Sequence, residues 1–176
     1  MSINTIGVAW YDSTPSFPLH PGETIIFIVA TVDLDLDGTA GLVENRAQSL
    51  KGKGSLFLTN TRVVFINKRE ITGNLTTFSM DIPRVRNPSF KQPFWGSNAF
   101  ECNVLIQGGG ALKVKFSFIE GGAYDFWKHW AEAARNYSSQ RQEYVEPLPL
   151  YQEAVGETFP AMDTSNISQQ SNNGSQ

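Results

Sequence analysis

Between residues 24 and 118 the apolar positions recur mostly with a period of two, the signature of strands with one buried face. Thr24–Val32 is β-branched and apolar and is bounded by Pro21-Gly22 on one side and an acidic stretch on the other, which predicts a strand. Ser55–Leu58 and Arg62–Asn67 are two such runs separated by Thr59-Asn60-Thr61, the spacing of a tight hairpin. Thr76–Ile82 alternates and stops at Pro83. Phe100–Ile106 and Ala111–Phe118 flank Gly108-Gly109-Gly110 as a further hairpin-like pair. In the second of these, Leu112, Val114, Phe116 and Phe118 alternate with Lys113, Lys115 and Ser117, so one face is buried and the other wet.

After Gly121-Gly122 the period changes. Ala123, Phe126, Trp127, Trp130, Ala131, Ala134 and Tyr137 fall at helical spacing, with Asp125 and Arg135 placed to suit the helix dipole. Two tryptophans on one stripe predict a helix docked on the strands. The expected fold class is mostly β: a bent sheet or partly open barrel of antiparallel strands capped by one C-terminal α-helix. Beyond residue 140 the chain reads Glu146-Pro147-Leu148-Pro149-Leu150-Tyr151 and finishes in a Ser/Asn/Gln-rich stretch from Thr164 to Gln176. Such a stretch buries too little to offset its ordering entropy. The predicted organisation is therefore an N-terminal extension (1–19), one domain (20–140) and a disordered tail (141–176).

Composition adds boundaries. Apolar residues make up 40% of the 176, enough for a core. The longest apolar run, Ile25–Val32, falls short of the about 20 residues that span a bilayer. The opening Met1-Ser2-Ile3-Asn4-Thr5 lacks the pattern of a secretory signal, and Cys102 alone makes neither a disulfide framework nor a cysteine zinc site. Cytoplasm and nucleus are the expected locations. Charge is segregated: residues 1–45 hold six acids and no base, 46–141 hold all 14 basic residues against six acids, and 142–176 hold five acids and no base. A basic middle permits contact with phosphate-bearing surfaces, although a solvated surface has the same composition.

Candidate chemistry is sparse. His20 lies in a Pro-flanked turn and His129 is expected on the polar side of the helix, with no Ser/His/Asp or Cys/His constellation in view. No enzymatic activity, cofactor or metal is expected. Gly108-Gly109-Gly110 lacks the ending of a phosphate loop and reads as a turn. Asp33-Leu34-Asp35-Leu36-Asp37-Gly38 with Glu44 at the twelfth position fits the calcium-loop pattern, but it follows a strand rather than a helix, so an acidic solvated loop is the favoured reading. Hairpin pairing would bring Lys68 and Arg69 towards Lys51 and Lys53, a cluster suited to a phosphoinositide headgroup or weak contact with an anionic membrane, or simply a solvated rim. No motif points to sequence-specific nucleic-acid binding.

Two segments carry a family resemblance. Gly54-Ser55-Leu56-Phe57-Leu58-Thr59-Asn60-Thr61-Arg62-Val63-Val64-Phe65 resembles the GxxxLTxxRxxF signature of the GRAM domain, a pleckstrin-homology-like fold. Lys91-Gln92-Pro93-Phe94-Trp95-Gly96-Ser97-Asn98, then Gly108-Gly109-Gly110 and Gly121-Gly122-Ala123 with Phe126, resemble the WW domain-binding protein 2 family in the same order. The resemblance implies about seven antiparallel strands capped by the helix, and an adaptor whose tail binds WW-domain proteins such as HECT-type ubiquitin ligases or transcription regulators, with a coactivator role. Family tails carry Pro-Pro-x-Tyr. Here the candidate is Leu148-Pro149-Leu150-Tyr151, with leucine in the first proline's place. Pro147 and Pro149 bias this segment towards polyproline II, which lowers the cost of docking on an aromatic groove.

Overall fold

The computed structural model describes residues 1–12, 14–38, 49–72, 74–107 and 109–142. All belong to one packing unit, Met1–Val145; the second unit, Glu146–Gln176, lies outside the described residues. In chain order the elements are β1 (Ser2–Ile3), β2 (Ala9–Tyr11), β3 (Thr14–Ser16), β4 (Ile25–Asp37), β5 (Ser49–Thr59), β6 (Arg62–Thr72) and β7 (Thr77–Asp81). A single 3-10 turn (Ile82–Arg84) then leads to β8 (Val85–Lys91), β9 (Ala99–Leu105), β10 (Ala111–Ser117) and the helix α1 (Ala123–Gln142).

Eight strands form one antiparallel sheet in the order β1-β7-β6-β5-β4-β10-β9-β8, and β2 and β3 form a separate hairpin. The six strands placed from the periodicity are β4 to β7, β9 and β10, and β8 completes the about seven that the family resemblance implies. The eighth, β1, comes from residues that had been set apart as an extension: Ser2 pairs with Ser79 and Ile3 with Phe78. Parts of the N-terminal extension thus pack on the sheet. Phe17 is buried and meets Phe57 edge-on at 5.1 Å, and Ile6 and Val8 pack on the same cluster with Val64 and Ile66.

The joint of the sheet is β4. It pairs with β5 along most of its length but with β10 only through Asp33–Asp37, and its register with β5 shifts between Val29 and Val32. Such an irregularity bends the strand, so one strand serves both halves of the sheet. The concave side holds the core: Leu34, Leu36, Leu56, Leu58, Phe65, Phe78, Phe100, Val114 and Phe116 are all at most 1% exposed.

The helix closes that core. Phe126 and Trp130 stand edge-on to Phe100 at 5.2 and 5.4 Å, and Ala123 and Ala133 are buried on the same side. His129, expected on the polar side, is half-buried against Phe27 with ring centroids 4.9 Å apart. A 20-residue helix spans more than one face of contact, and the first half of β4 reaches its flank. Among the described residues no helix is long and apolar enough to cross a membrane.

Close backbone approach decides the glycines of β5. A Cβ on Gly54 would lie 2.0 Å from the carbonyl oxygen of Ile66, so no larger residue fits there.

Candidate functional site

The sets of sequence-selected residues meet different fates. The signature Leu58-Thr59-Asn60-Thr61-Arg62 closes the β5–β6 hairpin and builds a buried polar clamp around Glu23, which precedes β4. Arg62 donates from Nε to Glu23 Oε1 (2.8 Å) and from Nη2 to Oε2 (3.0 Å). The Thr59 hydroxyl donates to Oε1 (2.7 Å), and the backbone N–H of His20 donates to Oε2 (2.8 Å). Arg62 Nη2 also donates to the carbonyl of Pro18 (3.0 Å), and the guanidinium lies over the Phe17 ring at 5.8 Å. Burial works to raise the Glu23 pKa. The hydrogen bonds from Arg62, His20 and Thr59, with the Arg62 charge, outweigh it and hold the carboxyl at about 2. The clamp ties the incoming segment to the hairpin, so its role is structural. Thr59 and Arg62 belong to the Gly54–Phe65 signature, whereas their partner Glu23 is signalled in the sequence only by Pro21-Gly22-Glu23 ahead of a strand.

The acidic run is not a loop. Asp33, Asp35 and Asp37 lie within β4, where period two sends Leu34 and Leu36 into the core and the three carboxylates to the outer face. Glu44 lies outside the described residues. Among the described residues no group of three His, Cys, Asp or Glu side chains is gathered to hold a metal.

The outer face of β4 and its neighbours is a charge ladder. One row across four strands reads Glu101, Lys115, Asp35, Lys51, and the next reads Asn103, Lys113, Asp37, Ser49. Lys51 Nζ meets Asp35 Oδ2 at 2.8 Å, and Lys115 Nζ meets Glu101 Oε1 at 3.5 Å. The hydrogen bond and charge of Asp35 raise the Lys51 pKa. These rows line an open cleft of about 380 Å³.

The four basic residues selected for a headgroup are only partly united. Lys53 lies opposite Asp33 on one side and Arg69 on the other, and Lys68 falls at the irregularity where the β5–β6 register shifts. Lys51 and Lys53 share the face with Asp33, Asp35 and Asp37, so the acids offset the lysines there. Opposite charges in alternate strands stabilise a sheet pairwise and leave little net field to draw an anion.

The one cysteine is not primed as a nucleophile. Burial pushes the Cys102 thiol up to about 12, and the thiol meets the Met80 sulfur at 3.8 Å. A thiol of that pKa is not a thiolate at neutral pH. Leu148, Pro149, Leu150 and Tyr151 lie outside the described residues. Phe94 and Trp95 enter the sequence analysis only through the family resemblance, although two adjacent aromatics between Pro93 and Gly96 are a signal of an exposed contact surface.

No family model matches the chain. A UPF0664 stress-induced protein of Schizosaccharomyces pombe is 30% identical over 127 residues, which cover 65% of this chain and 72% of that protein. WW domain-binding protein 2 of Homo sapiens is 28% identical over 102 residues, 54% of this chain but only 38% of its own length. The postacrosomal sheath WW domain-binding protein of Macaca fascicularis is 33% identical over 85 residues, 46% of this chain and 33% of its own. Among solved structures the Vps36 N-terminal PH domain superposes with a TM-score of 0.52 at 20% identity, covering 70% of this chain and 87% of that domain. That likeness, with the bent antiparallel sheet and its C-terminal helix, shows a pleckstrin-homology-like fold.

Proposed function

Because the chain belongs to the family of the fission-yeast UPF0664 stress-induced protein, and is more distantly similar to proteins named for binding WW domains, we propose that it is a non-enzymatic adaptor. The folded unit, which we assign to the GRAM class on its Gly54–Phe65 signature, is the scaffold. The segment Leu148-Pro149-Leu150-Tyr151 is the handle for WW-domain proteins, with HECT-type ubiquitin ligases and transcription regulators as the partner classes in cytoplasm and nucleus. The observation that carries this reading is the similarity to WW domain-binding proteins, joined to a Leu-Pro-x-Tyr sequence placed after the last helix.

The chemistry fits. Pro149 offers a ring for an aromatic groove and Tyr151 a phenol for the adjoining pocket, while Glu146 and Glu153 provide charge for a basic rim. Leucine at 148 forfeits one proline contact, so affinity falls in the micromolar range. A headgroup-binding role for Lys51, Lys53, Lys68 and Arg69 is the weaker reading, because Asp33, Asp35 and Asp37 share the face of Lys51 and Lys53.

The test is capture of full-length protein by a panel of immobilised WW domains, with Tyr151→Ala and Pro149→Ala beside the wild type. Capture of the wild type and loss of both variants is expected. Equal capture of all three, or of none, would refute the proposal.

A further inference from the structure

Away from the charge ladder, the most anomalous surface is the turn joining β8 to β9, residues 92–98. Phe94 is 92% exposed and Trp95 85% exposed, more than any other large apolar side chain among the described residues. Their rings stand edge to face at 5.4 Å. Pro93 leads into the pair and Gly96, at φ +99°, leads out.

The turn is firmly rooted. Lys91 pairs with Ala99, the N–H of Phe118 donates to the carbonyl of Asn98 (2.9 Å), and the neighbouring Phe100 is fully buried. Nothing at the root requires bulky rings at the tip, and a contiguous exposed apolar surface usually marks an interaction site. Two more exposed apolar side chains belong to the same end of the folded unit. Ile119, 48% exposed, follows the Phe118 that is bonded to Asn98, and Tyr124, 65% exposed, meets Phe90 edge-on at 6.4 Å.

We propose that the Phe94–Trp95 turn is a membrane-interface anchor, inserting its two rings into the headgroup–acyl boundary of a lipid bilayer. Shape favours lipid over a protein pocket. The rings are almost wholly exposed at the tip of a turn, and a fluid layer closes around such a pair without a matching cavity. Tryptophan suits that boundary, since its ring is apolar and its N–H still finds water or a headgroup. Residues 92–98 carry no charge, so no ion is stripped of water on entry. Lys91 stands at the root of the turn, at the level of lipid phosphates. Glu120 and Asp125 flank Ile119 and Tyr124, and Glu101 near the root is paired with Lys115, so the uncharged β8–β9 turn is the leading edge. Anchoring of this kind is reversible, as a single short insertion generally is. It also differs in kind from attraction through the lysines of the sheet face, because ring insertion survives salt and neutral lipid.

The experiment uses full-length protein and vesicles of phosphatidylcholine, with and without phosphatidylserine. Wild-type protein is expected to sediment with both kinds of vesicle, more with the anionic kind, and to keep sedimenting with neutral vesicles as salt rises. The double variant Phe94→Ser/Trp95→Ser is expected to bind at least about tenfold more weakly with an unchanged circular dichroism spectrum and unfolding midpoint. In a Trp10→Phe background, emission should shift to the blue on binding and be quenched by lipids brominated near the headgroup. Should the double variant unfold, that depth-dependent quenching decides alone. Absence of wild-type sedimentation, undiminished binding by a folded double variant, or unquenched emission would overturn the proposal. So would a wild-type dimer that the double variant dissolves, since the rings would then be covered by a second copy.

Discussion

Replacing Glu23 by glutamine removes one charge from the clamp while keeping its shape. Arg62 is then left buried with its Nε and Nη2 facing a neutral amide instead of the carboxylate at 2.8 and 3.0 Å. Breaking a buried pair by removing one partner costs about 3–5 kcal/mol. The depressed pKa of Glu23, which the same contacts with Arg62 help produce, gives a figure of the same order. Its pKa falls from an ordinary 4.5 to about 2, and at 1.36 kcal/mol for each unit that is about 3 kcal/mol of stability carried by the charged form. For a depressed acid, this stability is fully present above pH 4.5 and is lost as pH falls towards 2. Urea unfolding followed by tryptophan fluorescence from neutral pH down to 2 reads both effects. Glu23→Gln should be less stable by about 3 kcal/mol at neutral pH, near 10 °C in melting temperature by the usual scaling for about 150 residues. The gap between variant and wild type should then shrink as the pH drops through the window. A variant within 1 kcal/mol of wild type at neutral pH, or a gap that does not change between pH 4.5 and 2, would refute the reasoning.

Gly54→Ala places a Cβ 2.0 Å from the Ile66 carbonyl oxygen, backbone against backbone; we expect a loss of about 3 kcal/mol or more, read as a lower urea midpoint, and an unchanged midpoint would contradict the packing of β5 on β6. Trp130→Ala opens a hole beside Phe100 in the core and should cost about 3–5 kcal/mol, read in the same assay. Cys102, buried with its thiol pushed up to about 12, should resist maleimide at pH 8 in the native state and react within minutes in urea; rapid native labelling would show that the core opens there.

Much of the scaffold was legible because its strands and helix carry clean periods. The hairpin of Arg62–Asn67 and the alternation of Leu112 to Phe118 could be placed before any coordinates, and so could the stripe ending in Trp130. The misses share a cause: the deciding partner is distant in sequence. Asp33, Asp35 and Asp37 read as a loop because acids rarely fill a strand, yet Leu34 and Leu36 between them alternate, and Lys51 and Lys115 supply opposite charge from neighbouring strands. Strand β8 escaped notice because Pro88 and the positive φ of Asn87 (+50°) break its pattern, an irregularity that shows as the register shift between Arg86 and Ser89. β1 was too short to have a period, and Phe17 gave no hint that it would cover Phe57 and Arg62. The basic cluster was legible as charge but not as balance, because the compensating acids lie on β4.

The central claim is a division of labour between a folded scaffold and the handle at Leu148–Tyr151. Its most direct test is a heteronuclear NMR titration of the full-length, isotope-labelled protein with an unlabelled WW domain. The account predicts saturable shifts confined to signals from about residue 144 to about residue 156, with the amides of β4 to β10 and α1 unmoved. Shifts centred on the sheet or the helix, or no shifts at all across a panel of WW domains, would contradict it.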